Sequence, residues 1–159
     1  MASDLEIAQA VCGVFASVEA LHAKGLPDAR GSRVRREAVH FLWELRDQSK
    51  LAPERPHSAA ARRQRQTGDT TDLRYEHAIP LATFMPTLRA AVTGGPEAML
   101  SALRRFVRPV IVVDAECRRL TKVGLAASMP AAAAPDDPVA RYRAAGIALE
   151  ARDVRLLLA

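Results

Sequence analysis

No asparagine occurs among the 159 residues, aromatic residues make up 4%, and only two positions are cysteine. Each shortage excludes something. Cys12 and Cys117 stand in neither Cys-x-x-Cys nor Cys/His ligand spacing, which removes a zinc cluster and a disulfide framework and predicts a reduced, cytoplasmic chain. No window approaches the roughly 20 apolar residues of a membrane span, and no basic region followed by an apolar run opens the chain, so no membrane contact is expected. With so few aromatics, the 49% hydrophobic content is mostly Ala, Leu and Val, a composition suited to closely packed helices. There is no Gly-rich phosphate loop, nucleophile elbow or His-x-x-x-His helix, so nucleotide binding, serine hydrolysis and zincin chemistry have no support.

What is abundant is arginine. The formal charge is +5, and of 23 basic residues only Lys24, Lys50 and Lys122 are lysine. A guanidinium fork matches phosphate oxygens, and positive potential steers polyanions, so nucleic acid is the expected partner class. A GC-rich coding bias accounts for the arginine and alanine equally well.

Along the chain, Ser3 and Glu6 have capping-box spacing, and Ile7, Val11, Val14, Val18 and Leu21 form the stripe of a first helix stopped by Gly25 and Pro27. Ser32 is expected to cap a second helix running to about Lys50, with Val34, Ala38, Phe41, Leu42 and Leu45 buried. Val39 and Trp43 then fall on a second, smaller apolar face, which is the candidate partner-binding surface. Arg33, Arg35 and Arg36 oppose the dipole in the first turn of that helix, so helix stability does not explain their placement. Residues 51–72 carry Arg55, Arg62, Arg63 and Arg65 with no large apolar residue between Pro56 and Leu73, and read as a basic linker holding its charge near a site, within which Ser58 to Gln66 is either a short exposed helix or disorder. Leu73, Tyr75, His77 and Ile79 alternate with polar positions as a strand would. Pro80 ends that strand, Pro96 opens a helix with Arg104, Arg105 and Arg108 outward, and residues 110–113 are a β-branched buried strand. Asp114 is expected to cap a short helix through Leu120, and residues 147–149 and 154–158 are expected to add edge strands.

The one adjacent acid and imidazole pair is Glu76-His77. In Glu76-His77-Ala78-Ile79-Pro80 the chain resembles the first motif of HNH-type nucleases. That resemblance implies that Glu76 helps hold a divalent metal and that His77 acts as general base on a water; a metal enters on this reading alone. His22, His40 and His57 all precede His77, so no downstream histidine completes a metal set, and no metal ligands are assigned. Residues 73–147 also resemble small bacterial proteins of mobile-element type, through Tyr75-Glu76-His77 with Pro80, Asp114-Ala115-Glu116, Met129-Pro130 and Arg141-Tyr142 with Gly146-Ile147. This implies a shared fold and carries no activity.

The expectation is therefore a single, mostly helical α+β domain with a two- or three-stranded sheet, divided as a helical hairpin (1–50), a basic linker (51–72) and an α/β portion (73–159). Two functions stand. The first is nucleic-acid binding through Arg62, Arg63, Arg65, Arg104, Arg105 and Arg108, with nuclease chemistry at Glu76 and His77 as its stronger form. The second is a non-enzymatic protein that docks a protein partner through Val39 and Trp43.

Overall fold

The computed structural model describes residues 2–159. It is 58% helical with one two-stranded antiparallel sheet, so the α+β, mostly helical class is the one adopted. The chain forms two compact units: one takes the chain up to Ser49 and Met85–Arg105, the other Lys50–Phe84 and Phe106–Ala159.

In the first unit, α1 (Asp4–His22) starts at the Ser3 capping box, where Glu6 accepts from the Ser3 main-chain N–H at 2.7 Å. It ends where Gly25 adopts φ 98° and the Leu26 N–H reaches back to the Leu21 carbonyl at 3.0 Å. Its buried stripe is Ala8, Val11, Cys12, Phe15 and Val18, centred one step from the expected line, and Leu21 is exposed. By length and mean hydropathy (1.2), α1 is apolar enough to cross a membrane, contrary to the sequence expectation. Its apolar residues are interrupted by Glu6, Gln9, Gly13, Ser17 and Glu19, so no continuous run announces it.

Helix α2 runs Asp28–Ala38 from Pro27, and continues into a π-helical turn over Val39–Glu44. Ser32 therefore lies inside the helix and does not cap it. Gly31 faces α1 at a distance that leaves no room for a side chain: a Cβ there would stand 2.9 Å from Val18 Cγ1. Arg35, buried beside it, bonds Glu19 Oε1 at 3.0 Å and Asp28 Oδ1 at 3.4 Å, and Arg89 takes the same Glu19 at 2.9 Å. Buried positions thus run Gly31, Arg35, Ala38, Val39, Trp43. The π turn, with its i to i+5 bond from the Leu45 N–H to the His40 carbonyl at 3.1 Å, carries the buried line onto Trp43. Phe41 and Leu42, expected inside, are outside.

In the second unit, β1 (Leu73–His77) pairs with β2 (Pro109–Val113), with Leu73 opposite Val113 and His77 opposite Pro109. One face packs Leu73, Tyr75, Ile111 and Val113 with Ala61 of α3 (Ala59–Gln66). The other packs Val110 and Val112 with Leu120 of α6 (Asp114–Lys122), Tyr142 of α7 (Ala140–Ala144) and Leu157 of α8 (Ala151–Leu158). The remaining helices, α4 (Leu81–Ala91) and α5 (Gly95–Phe106), each begin in one unit and end in the other; Pro86 lies within α4.

Two expectations are corrected here. The C-terminal segment is a helix: Asp153 and Leu157, four apart, are its buried residues, and that period is helical although the run is aliphatic. Leu149 contributes only an isolated bridge to Ser58. Residues 51–72 are no free linker. Ser58 caps α3 by accepting from the Ala61 N–H at 3.0 Å, and the stretch Pro56–Ser58 lines β2 through the Ile111 N–H to the Pro56 carbonyl and the Ser58 N–H to the Ile111 carbonyl, both 2.8 Å.

Candidate functional site

Glu76 and His77 are neighbours in β1, and strand alternation sends their side chains to opposite faces of the sheet. What the Glu76 carboxylate receives from His77 is the main-chain N–H, at 3.1 Å. The His77 ring shares its face with Tyr75, ring centroids 5.6 Å apart and edge-on, and lies 6.1 Å from Phe84.

On the Glu76 side, Arg141 is wholly buried and spends its guanidinium on carbonyls: Nη1 donates to His77 O at 2.5 Å, Nε to Leu125 O at 2.8 Å and Nη2 to Ala126 O at 3.1 Å. Glu76 Oε1 lies 3.7 Å from Arg141 Nη1. The end of β1 is therefore fixed from both sides, its amide by Glu76 and its carbonyl by Arg141. Burial, with the Glu76 charge adding to it, pushes the Tyr142 phenol well above its usual range and the Cys117 thiol to about 11. Neither is an acid at neutral pH. Among the described residues no group of three or more His, Cys, Asp and Glu side chains is gathered to hold a metal ion.

Of the six arginines read as nucleic-acid ligands, two are internal. Arg62 holds Asp153, which is fully buried, through Nε at 3.0 Å and through a second, shorter bond from Nη2. Arg65 Nε donates to His57 Nε2 at 2.9 Å while the other ring nitrogen meets Arg55 O at 2.6 Å, so His57 is a neutral imidazole with both nitrogens used. Burial lowers its pKa. Arg104 pairs with Asp4 at 3.0 Å, and Arg105 is exposed. Among the described residues no carboxylate lies in bridging range of Arg63, which is exposed, or of Arg108, which is part-buried and whose pKa burial lowers.

Val39 and Trp43, the expected docking face, are core: Val39 is 0% and Trp43 3% exposed, with the Arg46 guanidinium 4.0 Å over the indole. The surface α2 and the π turn actually present is the one sequence periodicity assigned to the interior. Val34 is 45%, Phe41 62% and Leu42 38% exposed. With Val14 and Ala38 they line an apolar groove of about 610 Å³, rimmed by Arg30, Arg33 and Glu37. The signal that could have found it is Gly31: a glycine in a helix interior marks a close approach, and that side then faces α1. The sequence reading also missed the buried set Ser58, Glu116 and Asp153. There Glu116 Oε2 accepts from Ser58 Oγ at 2.5 Å and from the Val113 N–H at 3.0 Å, which ties Ser58 to the start of α6. No family model, curated protein or solved structure matches the chain.

Proposed function

We propose that this chain is a non-enzymatic, cytoplasmic interaction protein that binds a protein partner through the apolar groove of α2 and the π turn. The observation that carries this reading is the exposure of Val34, Phe41 and Leu42 together on one concave surface. Contiguous apolar surface of this kind, rimmed by charge, is characteristic of association sites, and aromatic and arginine side chains dominate the energetics of such sites. Both cysteines are free thiols, in keeping with a reducing compartment. A photo-crosslinking residue placed at position 41 in cells should give one discrete adduct that disappears when Val34→Asp is added; the same residue at position 63 should give none. Equal labelling at 41 and 63, or a 41 adduct indifferent to Val34→Asp, would overturn the reading.

A second reading, nucleic-acid binding, is supported by Arg63 and Arg108, whose charge no carboxylate among the described residues offsets. It is carried forward in its non-catalytic form, because Glu76 and His77 diverge across the sheet. If it holds, duplex binding weakens with salt and Arg63→Ala lowers the log-log slope by about one. Absence of binding at low salt would end it.

A further inference from the structure

We infer that the occupant of the groove is an amphipathic α-helix of a protein partner, anchored by aliphatic side chains and carrying carboxylates on the flank that meets Arg30 and Arg33. This rests on the groove being the binding surface. Three observations choose that partner. The lining residues of α2 and the π turn, from Arg30 to Leu42, recur at alternating steps of three and one, and form one stripe along a helical segment. Twelve helical rises make that stripe about 18 Å long, enough for the i, i+4 and i+7 anchors of a helix laid alongside it. Val14 of α1 also lines the surface, so the shallow groove lies where α2 runs beside α1.

The alternatives for a peptide fit less well. A partner strand needs a sheet edge to extend, and neither strand of this protein lies in the unit that holds the groove. A polyproline segment needs a groove lined by aromatics, and Phe41 is the only aromatic among the lining residues.

The charge follows from who is already paired. Arg35 is bonded to Glu19 and Asp28, and Arg36 to Glu37 at 3.2 Å, so the one acidic group on the rim is neutralised from within α2. Arg30 and Arg33 are exposed, and among the described residues no carboxylate lies in bridging range of either. They also sit in the N-terminal half of α2, where positive charge opposes the helix dipole. Their position costs the isolated helix stability, and complementary carboxylates on a partner would offset that cost.

The test uses the full chain and two synthetic helical peptides sharing one leucine stripe at i, i+4 and i+7, with either glutamate or lysine at the flanking positions; laurate serves as a third probe. By calorimetric titration, the glutamate-flanked peptide should bind at least tenfold more tightly than the lysine-flanked one. The order should reverse in Arg30→Glu/Arg33→Glu, and Phe41→Asp should abolish both. Equal binding of the two peptides, unchanged in the double variant, overturns the acidic-helix inference while leaving the groove as the binding surface. If neither peptide binds while laurate does, the occupant is an anionic amphiphile and the helix inference fails. If no probe binds and position 41 gives no specific adduct, the groove reading fails with it.

Discussion

The wholly buried carboxylate of Asp153 is held by Arg62 Nε at 3.0 Å and by the main-chain N–H of His57 at 3.0 Å, so α8, α3 and the segment before it meet at one acid. An arginine that composition assigns to phosphate is thus a structural staple. Arg62→Ala would leave that acid buried and without its ion pair, and should cost about 3–5 kcal/mol. Arg63→Ala, one residue on and exposed, should stay within about 0.5 kcal/mol. Urea denaturation of the two variants side by side checks the contrast.

Trp43 is 3% exposed, and truncating it removes the largest side chain of the π turn from the interior. Trp43→Ala should lose about 3–5 kcal/mol, with the cavity and the vacated contact under Arg46 both contributing. Retained stability with loss of association would instead make it an interface residue.

Gly31→Ala adds a methyl group 2.9 Å from Val18 Cγ1 of α1. The gain in helix propensity of up to about 1 kcal/mol is outweighed by an overpacking cost of about 1–3 kcal/mol. The expected result is net destabilisation, reversed by Val18→Ala in a double-mutant cycle.

Cys117 ionises only near pH 11, because burial and the Glu76 charge disfavour its thiolate. Its folded pKa is raised, so its contribution to stability is complete below the unfolded value of about 8.5 and is lost as pH climbs from there to about 11. Wild type should therefore lose stability across that window more steeply than Cys117→Ala. Matching slopes would contradict the raised pKa. At pH 8 the thiol should also react with a disulfide reagent far more slowly than a free cysteine does.

Some self-contained local signals were legible in the sequence, although the cap expected at Ser32 and the strand expected at 154–158 were not found. The Ser3–Glu6 box begins α1, and the β-branched run became β2 with Val110, Ile111 and Val112 buried. What failed depended on partners far along the chain. Arg62 and Asp153 are 91 positions apart, so nothing near Arg62 announces that its charge is internal. The face of α2 was inverted because Gly31 fixes which side meets α1, and the wider π turn then carries the buried line to Trp43. Apolar period alone does not register an i to i+5 turn. The opposite facing of Glu76 and His77, by contrast, was legible, since alternation along a strand puts His77 with Tyr75 and sends Glu76 the other way.

The proposed groove exists only if Phe41 lies outside the core, and the equilibrium unfolding midpoint of Phe41→Asp tests that directly. At 62% exposure, the substitution should leave stability within about 0.5 kcal/mol of wild type, with an unchanged denaturant slope. A loss of 2 kcal/mol or more, roughly the cost of burying a charge among packed side chains, would place Phe41 inside the protein and remove the groove on which the proposed function stands.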